Sequence, residues 1–403
     1  MNTSDQKGSK TAILRALRVH GSLSRIDLTR QTGLSRATVS VCVGELIEGG
    51  IVQEQQDRQF SGGRPAVPLE LAERSHAVLG AELYNNTWTI GAFDLPGNVM
   101  DSIRVPLPDS SPETAVAELA AALRRFVQRL GVPQLPLLGL CTPGLVDTER
   151  GVIHSVPLLD WHDVSLASLV KERTGQLPVI LNRDRARGLL ECRSRMERGY
   201  TNVVYVGIGA GIAACVYYKG ELVTGALGGA GEIGHMTIEP DGPLCPCGNN
   251  GCLQLYGTES AIEQEARRLI RLDESERPSS LDAPGGHIQL LRAHDVCRAS
   301  EAGDALAAVA VDKAAGYLGI ALANIVNFYN PDLIVLGGTL PAASPRYVRT
   351  AAKVMRQRAM RPLADHTAVQ TAAPNELGGA LGAAHFALDR GLRYEDIIGE
   401  RAE

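Results

Sequence analysis

No apolar run in this chain of 403 residues approaches the ~20 residues that a membrane-spanning helix needs; stretches such as Val203 to Val206 fall far short. The opening residues MNTSDQKGSK are polar and unlike a secretory signal. A soluble, cytoplasmic protein with no membrane partner is the expectation. A disulfide framework is also missing. Eight cysteines, three of them clustered near position 250, suit a reducing compartment with one metal site. Cys42, Cys141, Cys192, Cys215 and Cys297 stand singly in apolar surroundings and read as small core residues. Net basic charge is lacking too, since the formal total is −5. That charge is unevenly spread: residues 1–74 carry +2 and the remainder −7. A mildly basic head on an acidic body leaves a nucleic-acid partner open.

What is present begins with the head. Ile13, Leu14 and Leu17 share one face of a helix over Thr11 to Val19. Ser24 to Gly33 reads as a second helix, capped by serine and ended by glycine, and Ser35 caps a third. Three short helices with a tight Gly-Leu-Ser turn indicate a helix-turn-helix. In the third helix Val39, Val43, Leu46 and Ile47 turn inward, leaving Arg36, Ala37, Thr38 and Ser40 outside, where they would enter a major groove. Ile51 to Gln55 and Val67 to Leu71 read as two strands around the turn Ser61-Gly-Gly-Arg64-Pro65, the pattern of a wing. Arg64 at its tip would reach a minor groove. The candidate DNA contacts are Ser24, Arg25, Ser35, Arg36, Ala37, Thr38, Ser40 and Arg64; a winged helix used only for protein contacts is the alternative.

From about Ala77 strands and helices alternate, as in an α/β fold. Val78 to Leu83 and Trp88 to Asp94 form a strand pair joined through Asn85-Asn86. Pro112 to Leu130 is an amphipathic helix, Leu137 to Cys141 a buried strand leading into Thr142-Pro143-Gly144, and Asp304 to Phe328 a long helix.

The densest chemistry lies in Gly231-Glu232-Ile233-Gly234-His235 followed by Cys245-Pro-Cys247-Gly-Asn-Asn-Gly-Cys252. One histidine and three cysteines at this spacing suggest a closed tetrahedral Zn²⁺ site. With no coordination position open to water, the ion would order a loop and activate nothing. Disulfides are the alternative, but Cys245 and Cys247 are too close to pair easily.

GEIGH followed by CPCGNNGCLQ resembles the signature of the ROK family, which holds sugar kinases and sugar-responsive repressors on one fold. The resemblance implies an α/β chain: an N-terminal winged helix-turn-helix (1–74), then a two-lobe actin-like, ribonuclease H-like ROK domain. Its lobes would be 75–180 and 181–403, the second beginning near Val179 and its last helices returning to the first. GLSRATVS with GGRP also resembles the head of ROK repressors, which ROK kinases generally lack. In the family, kinases open with an Asp-x-Gly-x-Thr loop that receives phosphate, and an Asn-Asp pair supplies the base. Here the first place holds Glu82-Leu83-Tyr84-Asn85-Asn86, where a tyrosine obstructs close approach of backbone to phosphate. The second holds Asn182-Arg183, and arginine cannot accept a proton. Asp184, one residue on, is a candidate substitute, but adjacent side chains on a regular element point in different directions. The glycine motif Gly207-Ile-Gly209-Ala-Gly211 is largely kept, which alone is a weak signal.

The effector contacts implied by the resemblance are Gly144, Asn182, Glu232, His235 and Gln254. Gln254 replaces a family glutamate, and Leu158-Leu159-Asp160-Trp161 replaces an Asn-Leu-x-Trp. The reading is a DNA-binding regulator, a repressor without kinase activity, working as a homodimer or homotetramer on a pseudo-palindromic double-stranded operator under a sugar or sugar-derived effector. The competing readings are a sugar kinase with a DNA-binding head and a DNA-binding regulator that answers to no effector.

Overall fold

The computed structural model describes residues 3–55, 67–272, 281, 288–392 and 397. They separate into two compact units, Met1–Ala186 with Leu377–Glu403, and Arg187–Glu376.

The first unit opens with helices Thr3–His20, Arg25–Thr32 and Arg36–Glu48. The first starts a full two turns before the apolar pattern suggests, because Lys10 Nζ lies 2.6 Å from Glu45 and Gln6 Nε2 donates to the same carboxylate at 2.7 Å. Ser24 accepts from Asp27 N in a capping box, and Gly33 closes the second helix at φ 70°. Strands Val52–Glu54 and Leu69–Leu71 pair antiparallel, Val52 opposite Leu71. The intervening tip, 56–66 with Arg64, lies outside the described residues.

Each unit is then built on a five-stranded sheet of the same plan, an antiparallel meander of three strands extended by two parallel ones. In the first unit the order is Leu177–Asn182, Gln134–Thr142, Ala77–Tyr84, Thr87–Phe93, Val99–Pro106. Asn85 and Asn86, at φ 49° and 51°, make the two-residue turn of the leading hairpin, a conformation Asn tolerates well. In the second unit the order is Glu221–Leu222, Ile212–Tyr218, Asn202–Ile208, Leu333–Gly337, Ala368–Thr371.

Val179 pairs with Gly139 inside the first sheet, so that sheet runs on to Asn182 and the division between units falls only after Ala186. The final helix, Gly378–Gly391, packs in the first unit, with Ala380, Ala384, Ala387 and Leu388 in one apolar cluster with Ile13, Leu14 and Leu17 of the head. The five solitary cysteines are all buried, as their surroundings suggest.

In the second unit helix Ala305–Tyr329 is long and apolar enough, by length and composition, to cross a membrane. Its Ala310, Val311, Ala314, Leu318 and Leu322 are fixed in that unit's core. Reading only for uninterrupted apolar runs passes over this helix, because Asp312 and Lys313 break it. Asp312 is satisfied by Arg346 at 2.6 Å and Thr350 at 2.8 Å.

Candidate DNA-binding face and metal centre

The helix Arg36–Glu48 buries Val39, Cys42, Val43 and Leu46, which recur at the spacing of one helical face. Arg36, Ala37 and Ser40 are exposed on the opposite side, and Thr38 is half-buried. Ser35 works as the cap: its Oγ accepts from Thr38 N at 3.1 Å and meets Thr38 Oγ1 at 2.8 Å. Ser24 is held likewise, donating from Oγ to Asp27 Oδ2 at 2.6 Å. Arg25 pairs with Glu54 at 3.1 Å across to the first wing strand. Val41 was not foreseen. It is 54% exposed, one turn beyond Ala37 on the same face, an apolar residue that breaks the inward pattern.

In the second unit, one ligand atom each from His235, Cys245, Cys247 and Cys252 lies within 4.8 Å of every other. Cys247 Sγ and Cys252 Sγ are 3.7 Å apart, and Cys245 Sγ is 3.8 Å from His235 Nδ1. A tetrahedral ion with metal–sulfur bonds of ~2.3 Å requires edges of about 3.8 Å, so the donor set fits such a metal. Local backbone explains the convergence. Gly248 N returns to Cys245 O at 2.9 Å, and Cys245 N to Asn249 O at 2.8 Å. Gly251, at φ 63°, sits where a Cβ would meet Glu239 O at 1.6 Å, so only glycine lets the loop fold back before Cys252. Outside the donors, Asn249 Nδ2 approaches Cys252 Sγ at 3.4 Å and Thr237 Oγ1 at 2.9 Å.

Glu82 and Arg183 come together in the first unit. Arg183 Nε donates to Glu82 Oε1 at 2.5 Å, its NH1 reaches Asp184 at 3.4 Å, and its guanidinium stacks 4.0 Å from the Tyr84 ring centroid. Burial works against that charge, but Asp184, Glu82 and Tyr84 outweigh it and hold the guanidinium pKa above its ordinary value. The position stays a cation and takes no proton from a substrate hydroxyl. Tyr84 thus serves as a platform for the arginine, a role that reading it as an obstruction did not reveal.

The five candidate effector residues divide between the units. Asn182 is bonded within the fold: Nδ2 donates to Gly144 O at 2.9 Å while Oδ1 accepts from Asp184 N and Arg185 N at 2.8 and 3.3 Å. It caps helix Arg183–Met196. Gly144, at φ 91°, packs where a Cβ would meet Ser155 O at 2.1 Å. Gln254 turns its amide to Cys245 Sγ at 3.2 Å, so it braces the cysteine cluster. Glu232 precedes the single turn Ile233–His235, and both it and His235 are half-buried. Trp161 is 1% exposed and its indole donates to Ser110 O at 2.6 Å.

The ROK family model matches residues 79–390, and a winged helix-turn-helix DNA-binding model matches residues 8–53. The DNA-binding transcriptional dual regulator NagC of Escherichia coli K12 is 28% identical over 337 residues, 83% of this chain and 81% of that protein. The xylose repressor of Bacillus spizizenii is 27% identical over 406 residues, 99% of this chain and 100% of that protein. A crystal structure of a ROK transcriptional regulator, a homologue of the E. coli MLC protein, shares the fold over 98% of both chains, with TM-score 0.81 and 24% identity. The ROK hexokinase of Thermus thermophilus covers 77% of this chain and 97% of its own, with TM-score 0.63 and 29% identity. The chain therefore belongs to the ROK family, as a member that carries a winged helix-turn-helix DNA-binding head.

Proposed function

We propose that the protein is a transcriptional repressor that grips double-stranded operator DNA through its head and releases it in response to a sugar or sugar-derived effector held by the ROK domain. The observation that carries this reading is the outward row Arg36, Ala37, Ser40 and Val41 on a helix capped and packed on its other side. A bidentate arginine reads guanine in the major groove, and a valine methyl suits thymine. Ser24, Ser35 and Arg25 position helix starts near phosphates, and Arg64 reads groove width. Reading two half-sites of a pseudo-palindrome calls for a homodimer or homotetramer.

The ROK domain senses and does not phosphorylate. The Arg183–Glu82 pair stands where the family resemblance puts phosphate loop and base, and neither residue does either job. The four donors of the second unit would hold Zn²⁺, whose contribution is to fix the loop from His235 to Cys252. Glu232 and His235 sit at the start of that loop and are the residues through which a sugar hydroxyl would be felt. This agrees with relatives named as repressors of N-acetylglucosamine and xylose genes.

The test is a gel-shift of the purified chain on the DNA upstream of its own gene, at two salt concentrations, with a panel of hexoses, pentoses and N-acetyl sugars. Binding that one sugar weakens is expected. Indifference to every duplex, or ATP turnover with a hexose in a coupled assay, overturns the reading.

A further inference from the structure

Arg18 belongs to the last turn of the head's first helix, yet its guanidinium reaches three acceptors in the ROK part of the same unit. Its Nε pairs with Asp389 Oδ1 at 3.1 Å, NH1 donates to Leu95 O at 3.1 Å and NH2 to His385 O at 3.2 Å. The side chain is 4% exposed. Arg15 Nε adds a bond to Leu392 O at 3.2 Å. A buried planar fork with three acceptors fixes direction as well as distance. The head is thus clamped to the far end of helix Gly378–Gly391.

The near end of that helix touches the degenerate phosphotransfer residues. A Cβ at Gly379 would lie 2.4 Å from Glu82 Cδ, and one at Gly382 would lie 1.9 Å from Ala186 O in the helix that Arg183 begins. Between its ends the helix rests on sheet backbone. A Cβ at Gly80 would meet Ala380 O at 2.0 Å, and one at Gly139 would meet Ala383 O at 2.1 Å. Such contacts leave no slack for a side chain to absorb, so the helix responds as a stiff piece. Gly379 and Asp389 are separated by ten helical steps, or ~15 Å at the usual rise.

We infer that helix Gly378–Gly391 relays changes at the Glu82–Arg183 end of the unit to the DNA-reading head, with Arg18 as the positioning residue that receives them. This rests on the regulator reading above and supplies the last part of its route: a displacement of the start of helix Arg183–Met196 moves Gly379 and Gly382, hence Asp389, hence the head. Ligand-driven shifts of this kind need a connected element that both ends bias.

The experiment is hydrogen exchange read by mass spectrometry on the full chain without DNA. Three proteins are compared with wild type: Arg183→Lys, which keeps the charge beside Glu82 but loses the planar stack on Tyr84; Asp389→Asn; and their combination. Arg183→Lys is expected to speed exchange in peptides spanning Arg15 to His20 by about tenfold, and Asp389→Asn to do likewise, with the combination less than about twofold above Asp389→Asn alone. Unchanged exchange at Arg15 to His20 in Arg183→Lys, or effects that multiply in the combination, overturns the relay. Should Asp389→Asn fail to fold, the single Arg183→Lys protein decides. A wild-type chain that binds no duplex would sink the regulator reading while leaving this exchange result standing, so the two failures are distinct.

Discussion

Arg183, half-buried, meets the buried Glu82 as an ion pair, Nε to Oε1 at 2.5 Å, with side-chain exposures of 20% and 4%. Removing either charge alone leaves the other without its partner. Arg183→Met leaves the Glu82 carboxylate enclosed without its counter-charge, which costs about 3–5 kcal/mol. Glu82→Gln with Arg183→Met removes both charges and recovers most of that loss. Urea unfolding of wild type, both single variants and the double closes the cycle; additive losses would show that the pair is not coupled.

In the metal loop, Cys247→Ser and Cys252→Ser should each lower bound metal from about one equivalent per chain to near none, because three donors hold a structural ion far less tightly than four. Elemental analysis after dialysis gives the content. Gln254→Ala is the control, since its amide touches Cys245 Sγ without being a donor in the set. It should retain the metal.

On the reading helix, Arg36→Ala should weaken operator binding by about 1–3 kcal/mol and relax the preference at one base position, with little effect on non-specific DNA. Ser35→Ala removes a cap, so its loss of about 1 kcal/mol should fall on stability instead. Fluorescence anisotropy on specific and scrambled duplexes separates these, and an equal loss on both duplexes for Arg36→Ala would assign it to phosphate.

Acid should release one joint of the second unit. Burial alone would raise the Asp332 pKa, but donation from Thr201 N, Thr201 Oγ1 and Asn202 N at 2.8–2.9 Å prevails and brings it down to about 2. A carboxylate whose folded pKa is depressed adds stability above its unfolded value near 4, and that stability drains away as pH falls toward 2. Asp332→Asn should therefore be less stable at pH 6 by on the order of 1–2 kcal/mol, the gap narrowing from pH 4 down to about 2. A pH-independent gap in thermal melts would assign the effect to packing.

What the sequence made legible was local. Ser24, Gly33 and Ser35 mark the helix limits through their own capping chemistry, and Asn85-Asn86 marks the hairpin because both must take positive φ. The His and Cys spacing likewise marks the loop in which four donors converge. What remained hidden was who satisfies whom. Glu82 and Arg183 stand 101 positions apart, and no periodicity links them. Asn182 and Gln254 read as ligand-binding amides, and only the fold shows that the first also bonds backbone at both ends and that the second reaches a sulfur. Polar side chains declare their type in sequence, whereas their partners are a tertiary property.

Leu23 and Leu69 exchange both backbone hydrogen bonds, at 3.0 and 2.9 Å. The residue just ahead of the second helix is thereby laced to the returning wing strand. Neither can swing without dragging the other, so a duplex approaching this end encounters one solid jaw whose grooves must come to it.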